Sequence, residues 1–170
     1  PGGMGGAFVH ERHHNQKDLP RLEGWWGHNK ETRFKMRDAF EPMPTVEAWQ
    51  LSNPPILAMA AVWASLKIFE EVGMERLRKK AIALTGYMEF LVNSLGDDVI
   101  NMITPSDPNQ RGSQLSIQVK NADKALFDKI TEKGVIADWR EPDVIRVSAV
   151  PMYNSFEDAF LFYRLLKESL

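Results

Sequence analysis

The sequence predicts an α/β chain that ends in a small α+β domain, and three patterns within its 170 residues support this fold class. Two long helical patterns occupy residues 54–96. About 40 residues before them have neither helical nor strand periodicity. Residues 97–170 read β-α-β-β-α, which is typical of a sheet with helices packed on one face. A domain boundary near residue 96 follows from this change of pattern.

The first helical pattern, SNPPILAMAAVWASLKIFEEVG, carries a signal at each end. Asn53 suits the N-cap, Pro54 the first helical position and Gly73 the end of the helix. The second pattern, MERLRKKAIALTGYMEFLVNSLG, has one apolar face and stops at a glycine. Its cluster of basic residues is interpreted as a solvated face. The cluster comprises Arg76, Arg78, Lys79 and Lys80.

The strands and short helices of residues 97–170 follow from the spacing of apolar residues. SQLSIQV alternates, which places three side chains of a half-buried strand on one face: Leu115, Ile117 and Val119. ADKALFDKITEKG predicts a short helix that Gly134 ends. VIADW and DVIRVSA predict two strands joined by the turn REPD. NSFEDAFLFYRLLKESL predicts a closing helix capped by Asn154 or Ser155.

The region before the helices contains a short strand candidate and a long irregular segment. AFVH, residues 7–10, follows a predicted glycine turn at residues 2–6. Structureless loops as long as residues 11–50 are uncommon in compact proteins unless they are disordered or functional. Its tryptophans, phenylalanines and methionines favour an ordered segment. GWWGHNKETRFKM, with two adjacent tryptophans between glycines, is its most unusual part.

Composition excludes several classes of function. The net charge is −2 and the basic residues are scattered, so no basic stripe suits a nucleic acid or an anionic membrane surface. No apolar run approaches the ~20 residues that span a bilayer. The sequence has no cysteine, which excludes disulfides and thiolate sites and fits a cytoplasmic protein.

Six motifs that follow one another along the chain together resemble the C-terminal part of the kynureninases. They are PGGMGGAFVHE, GWWGHNKETRFKM, SNPPIL, LRKKAIALTGYMEFL, ITPSDPNQRGSQLSI and IRVSAVPMYNSFEDAF. Kynureninases are homodimeric pyridoxal-phosphate enzymes of the aspartate-aminotransferase fold type. They hydrolyse L-kynurenine or 3-hydroxy-L-kynurenine to anthranilate or 3-hydroxyanthranilate and L-alanine, in tryptophan catabolism and NAD biosynthesis.

The resemblance implies a division of the chain into three parts. Residues 1–53 would end the large cofactor-binding domain, residues 54–96 would be linking helices, and residues 97–170 would form the small C-terminal domain. The family's Schiff-base lysine is expected upstream of Pro1, so the chain contains no catalytic residue of its own. The isolated chain is therefore expected to be inactive.

The same resemblance implies roles for the tryptophan pair and two neighbours. Trp25 would donate its indole N–H to the cofactor phosphate across the dimer interface, and Trp26 would pack near the aromatic ring of the substrate. Asn53 would contribute to the phosphate environment. His28 would line the pocket for the substrate ring or its 3-hydroxyl. From the residues alone, packed aromatics explain the tryptophan pair equally well, and a surface histidine is the default interpretation of His28.

Arg146 is the candidate for substrate binding in the small domain. It lies in the apolar strand DVIRVSA, where an unpaired charge is expensive, so it either pairs with an acid or faces a cleft. The resemblance implies that its planar pair of donors binds the α-carboxylate of the substrate.

Two other patterns are weighed and set aside. His10, His13 and His14 have the spacing of a zinc site, but no carboxylate or cysteine pattern completes it, and no metal is expected. Lys35 could be mistaken for the Schiff-base lysine, although nothing indicates that it is desolvated.

Two alternatives remain. Another pyridoxal-phosphate enzyme of this fold type, such as a cysteine desulfurase, shares the pattern of the small domain. A non-catalytic interaction module could instead use an exposed tryptophan loop to bind a partner.

Overall fold

The computed structural model describes residues 4–16 and 18–170. Its helices and strands follow in the order α1 (Ile56–Val72), α2 (Met74–Asn93), β1 (Ile100–Met102), β2 (Gln114–Val119), α3 (Lys124–Glu132), β3 (Asp138–Arg140), β4 (Val144–Ser148) and α4 (Phe156–Lys167). Short 3-10 turns lie at Glu11–His13, Val46–Trp49 and Pro108–Gln110. The contacts divide the chain into two compact units, Pro1–Ile68 and Phe69–Leu170.

The second unit is built on a four-stranded antiparallel sheet with the strand order β1-β2-β4-β3. One face of the sheet carries the core. The predicted inward residues of β2, Leu115, Ile117 and Val119, are fully buried there, which confirms the alternation that predicted them. Helices α2 and α4 pack together on this face, and Ile130 of α3 completes the cluster.

Helix α2 belongs to the same core as the sheet. Its residues Leu84, Met88 and Val92 are buried against β1 and β2. The structural unit therefore begins before α2, whereas the sequence places a boundary near residue 96. The three-part functional division at residues 53 and 96 stays a prediction.

The predicted strand at residues 7–10 is wrong. These residues have no regular structure, and Phe8 is 88% exposed. In the described part of the chain no strand pairs with them, and a strand needs a hydrogen-bonded partner strand. The glycine turn predicted before them lies partly outside the described residues.

Two strands differ from the sequence prediction in existence or length. Strand β1 was not predicted, because three residues are too short to show alternation. The strand predicted at residues 135–139 begins only at Asp138. The backbone N–H of Val135 donates to the carbonyl of Ile130, 3.1 Å away, and so closes the end of α3 instead of joining a sheet ladder.

Helix α1 begins at Ile56, so Asn53 is not its N-cap. The residue before a proline is disfavoured in the α conformation, and this applies to Asn53 and to Pro54 because two prolines follow one another. Regular helix therefore starts only after Pro55. No residue of α1 is buried.

The basic cluster of α2 is not wholly a solvated face. The Arg78 guanidinium donates to the backbone carbonyls of Pro108 and Arg111, and the Lys80 ammonium donates to the carbonyl of Pro151 at 2.8 Å. These two side chains fasten loops of the second unit to α2, although Lys80, like Arg76 and Lys79, is exposed.

In the described residues, none of the helices combines the length and the hydropathy that a membrane-crossing segment requires.

Candidate functional site

The two glycines around the tryptophan pair are required by close backbone packing. We call residues 24–43 the Trp loop. A Cβ atom on Gly24 would lie 2.2 Å from the Cα atom of Leu51, and one on Gly27 would lie 2.6 Å from the carbonyl oxygen of Ala48. Only glycine allows the Trp loop to approach this neighbouring backbone.

Arg33 holds the tryptophan pair in place. The indoles of Trp25 and Trp26 meet edge to face with 5.2 Å between ring centroids. The Arg33 guanidinium carbon lies 4.7 Å from the Trp26 ring centroid and 5.5 Å from that of Trp25. The same guanidinium donates to the carbonyls of Trp26 and His28. Its Nε atom is buried without a partner in the described residues.

His28 ties the two sides of the Trp loop together. The backbone N–H of Glu41 approaches Nδ1 of His28 at 3.4 Å, which leaves the ring proton on Nε2. Nε2 then donates to the Thr32 hydroxyl at 3.1 Å, and that hydroxyl donates to the Glu41 carboxylate at 2.7 Å. Hydrogen bonds from Thr32 and Arg37 lower the pKa of Glu41 below its ordinary value.

The outer edge of the Trp loop offers groups to a ligand. Trp25 is 45% exposed, and in the part of the chain that the structure describes its indole N–H has no acceptor. Asn53 is exposed and lies two residues beyond Leu51, whose backbone packs against Gly24. The structure therefore brings Trp25, Trp26 and His28 into one cluster, and Asn53 follows the segment whose Leu51 backbone packs against Gly24.

Arg146 lies in the second unit, on the face of the sheet opposite the core. Its neighbours in β4, Ile145 and Val147, are buried, and its own side chain is half-buried. In the sheet register it lies opposite Ser116 of β2 and Asp138 of β3. Alternation thus explains how a charge fits into an apolar strand: it lies on the other face.

Asp138 is the acid that pairs with Arg146. Nε of Arg146 donates to Oδ2 of Asp138 at 2.7 Å, and Nη2 contacts the same oxygen. Arg140 reaches this oxygen at 3.1 Å. The hydrogen bond from Arg146 is the main cause that lowers the pKa of Asp138 below its ordinary value, so the carboxylate is charged at neutral pH.

A cavity of about 680 Å³ adjoins this pair. Its lining includes Arg146, Asp138, Tyr153, Asn154 and the apolar side chains of α4. The Asn154 amide oxygen accepts from the backbone N–H of Val150 at 2.9 Å and so fixes the turn that lines one side of the cavity. Arg146 is therefore paired with an acid, one of the two outcomes that the sequence left open, and it is among the residues that line a cavity.

The sequence analysis missed two residues that organise these clusters. Asp138 needed the observed register: the loop has three residues, 141–143, and places Asp138 opposite Arg146, whereas a four-residue turn REPD would place Ala137 there. Arg33 had no local signal, because its contacts depend on how the Trp loop folds back.

The histidines near the N-terminus and Lys35 occupy separate places. His10 accepts from the backbone N–H of Arg12, His13 interacts with Arg12 and Gln16, and His14 approaches the carbonyl of Val9. Among residues 4–16 and 18–170, no three potential ligands are grouped closely enough to hold a metal ion. Lys35 is exposed.

Comparison with known sequences gives a consistent result. The family described as Kynureninase C-terminal domain matches residues 77–166. The kynureninase of Myxococcus xanthus is 49% identical over 167 residues, and that of Koribacter versatilis is 51% identical over 162. These alignments cover 98% and 95% of this chain but only 39% and 38% of the relatives. The chain thus spans about two fifths of the length of the curated relatives.

Solved structures match in fold. The cystine C–S lyase C-DES, in complex with its product cysteine persulfide, superposes with a TM-score of 0.67 at 16% identity, covering 86% of this chain and 38% of that one. Another C-DES structure, with glycine covalently linked to the pyridoxal-phosphate cofactor, gives 0.63 at 17% identity, covering 86% and 37%. The predicted fold class is confirmed: a mixed α/β chain with a small antiparallel sheet, matching the C-terminal part of such enzymes.

Proposed function

This chain belongs to the kynureninase family, and from that premise we propose that the whole protein containing it hydrolyses L-kynurenine or 3-hydroxy-L-kynurenine. Water and the substrate would give L-alanine together with anthranilate or 3-hydroxyanthranilate, as a step in tryptophan catabolism and NAD biosynthesis. The observation that carries the proposal is Arg146, a guanidinium on the polar face of an apolar strand beside a cavity.

Arg146 would bind the α-carboxylate of the substrate. A guanidinium offers parallel N–H donors that match the two oxygens of a carboxylate, and in a partly desolvated place such a pair is strong and directional. In the described residues, its Nη1 atom donates no hydrogen bond to the protein, so a donor remains for a ligand. Fixing the amino-acid end would restrict the scissile bond to few orientations.

Pyridoxal phosphate is the cofactor that the family implies, and the Trp loop together with Asn53 contains groups that fit its phosphate. Trp25 has an indole N–H without an acceptor in the described residues, Asn53 has an exposed amide, and the buried Nε of Arg33 lacks a partner. All three are donors that suit an anion. When bound, the cofactor would supply the electron sink for cleavage of the Cβ–Cγ bond, while Trp25 and Asn53 would hold its phosphate.

Trp26 and His28 would contact the aromatic end of the substrate. Trp26 presents an apolar ring, and His28 is kept in one tautomer by Glu41 and Thr32, so its ring edge has a defined polarity. The homodimer with shared sites and the cytoplasmic location expected from the resemblance are part of the same proposal.

Replacing Arg146 by lysine in the full-length holoenzyme tests the proposal. Arg146→Lys keeps the charge but loses the paired donors, so we expect KM for L-kynurenine to rise about 10- to 100-fold. The absorbance of the bound cofactor should stay normal, because Arg146 would contact only the substrate. An unchanged KM would remove Arg146 from carboxylate binding, and absence of kynurenine hydrolysis by the wild-type protein would overturn the activity.

Trp25→Phe in the same protein tests the phosphate role. Phenylalanine keeps most of the apolar packing but has no N–H, so the dissociation constant of pyridoxal phosphate should rise about tenfold. Phe34→Leu, a change in the exposed neighbour of Trp25, is the control and should leave that constant within about twofold of wild type. An equal effect of both variants would indicate that Trp25 only packs.

A further inference from the structure

We infer that Asp138 is a positioning residue that holds one edge of the Arg146 guanidinium so that the other edge faces a ligand carboxylate. This inference rests on the proposed role of Arg146 in binding the substrate. It adds a carboxylate, on a neighbouring strand, to the residues that determine substrate affinity.

The hairpin geometry makes Asp138 the nearest anionic partner of Arg146. The two residues are a direct register pair of β3 and β4, eight residues apart in the chain. Directly opposite residues in antiparallel strands have Cβ atoms about 5 Å apart, so a short aspartate reaches the guanidinium without bending either strand. The pair lies on the sheet face that the helices do not cover.

The hydrogen bonds occupy only part of the guanidinium. Nε and Nη2 of Arg146 both point to one oxygen, Oδ2 of Asp138. Nη1 donates nothing within the described residues. A ligand carboxylate can therefore bind end-on through Nη1 and the second hydrogen of Nη2 while Asp138 keeps its own contacts.

Holding the side chain matters because a free arginine has many rotamers. Its ordering on ligand binding costs affinity unless another group has already restricted it. Asp138 supplies that restriction, and Arg140 contacts the same oxygen. Arg140 is more than half exposed and lies at the edge of the sheet, which makes it a useful control.

A competing role predicts the opposite effect. Asp138 could act as a substitute ligand that occupies Arg146 until the substrate displaces it. Removing its charge would then strengthen binding of a substrate carboxylate. Asp138 contacts only the edge of Arg146 formed by Nε and Nη2, and it leaves the edge formed by Nη1 and Nη2 open. A ligand that the substrate displaces would instead occupy the edge that the substrate needs. The contacts therefore argue that Asp138 and the substrate bind Arg146 at the same time.

The experiment compares Asp138→Asn and Asp138→Glu with Arg140→Gln in the full-length holoenzyme. KM and kcat are measured with L-kynurenine and with its α-carboxamide, which lacks the charged group. We expect Asp138→Asn to raise KM for kynurenine about five- to tenfold while kcat stays within about threefold. Asp138→Glu should recover part of the affinity, and Arg140→Gln should change KM by less than about twofold.

The carboxamide separates positioning from a general structural effect. Its KM should be the same in wild type and Asp138→Asn, because it does not use the charged pair. A lower KM for kynurenine in Asp138→Asn would favour the substitute ligand and overturn the inference, as would an unchanged value. If Arg146→Lys also leaves KM unchanged, the proposed carboxylate-binding role of Arg146 fails as well; if only Asp138→Asn does, the positioning role alone fails.

Discussion

Helices α1 and α2 follow one another in the chain, yet they are stabilised in different ways. None of the 17 residues of α1 is buried, whereas α2, with 20 residues, buries eight. Helix α1 is apolar around most of its circumference, and Leu57 is 88% exposed. Helix α2 is amphipathic and buries one stripe against the sheet. Periodicity thus predicts that a helix forms, while burial depends on which neighbours are present.

The two units also differ in how much apolar surface they bury. In the first unit, the described residues that are buried are few and small, among them Thr32 and Ala48. Stacked rings, a guanidinium and a chain of hydrogen bonds hold the Trp loop. In the second unit a continuous apolar cluster holds the sheet and helices together. Substitutions should therefore act through different contacts in each unit.

The largest expected effect comes from the apolar core. Leu84→Ala in α2 removes a fully buried side chain and should lower the free energy of unfolding of the chain by about 3 kcal/mol, from lost burial plus a cavity. The matched control, Leu57→Ala in α1, should change it by less than about 0.5 kcal/mol, because that side chain is exposed. Denaturant unfolding of the 170-residue chain measures both.

Equal losses of unfolding free energy in Leu84→Ala and Leu57→Ala would contradict the difference between α1 and α2. The same pair of substitutions in the full-length protein would sharpen it, since a large cost for Leu57→Ala there would show that other parts of the protein cover α1.

The next effect concerns the close approach of the Trp loop to residues 48–51. Gly27→Ala places a Cβ atom against the Ala48 carbonyl and should destabilise the loop by about 1–3 kcal/mol. The amide of Met43, which donates to the carbonyl of Gly27, should then exchange hydrogen at least about tenfold faster. Gly86→Ala is the control: its Cβ meets nothing, and alanine should stabilise α2 by about 0.5–1 kcal/mol. Slow exchange at Met43 in the variant would contradict the packing argument.

The smallest effect concerns the start of α4. Ser155 and Asp158 form a capping box, and Ser155→Ala should cost about 1 kcal/mol at pH 7. Hydrogen bonds from Ser155 lower the pKa of Asp158 below its ordinary 3.8. A lowered folded pKa means that the stabilisation is complete above pH 3.8 and is lost as the pH falls through the folded value.

Unfolding measured between pH 2 and pH 7 should therefore show a shallower acid dependence in Asp158→Asn than in the wild type. An identical slope in both proteins would show that the carboxylate does not contribute through its charge.

Sequence patterns predicted the second unit better than the first, and particular residues show why. The inward residues of β2 alternate over the whole strand, and the serine and acid that cap α4 are local neighbours, so both were predictable. AFVH has the composition of a strand but no partner, and its exposed Phe8 shows that composition alone does not make a ladder. The start of α1 depended on two consecutive prolines rather than on Asn53.

The candidate site was predictable to the level of residue type. An arginine in an apolar strand had to be paired or to face a cleft, and Arg146 is paired with Asp138. The identity of its partner required the hairpin register. In the Trp loop, the glycines were visible in the sequence, but the reason for them was not, because it lies in the backbone of Ala48 and Leu51. Contacts between distant segments leave no periodic trace.

The hairpin of β3 and β4 has one more consequence. Arg146 and Asp138 are joined by a short turn and by the sheet ladder between their strands. Any displacement of this sheet would carry cation and anion together as a rigid pair, with their separation unchanged. A sheet that moves as one body would therefore carry the proposed carboxylate-binding arginine with its donors already oriented.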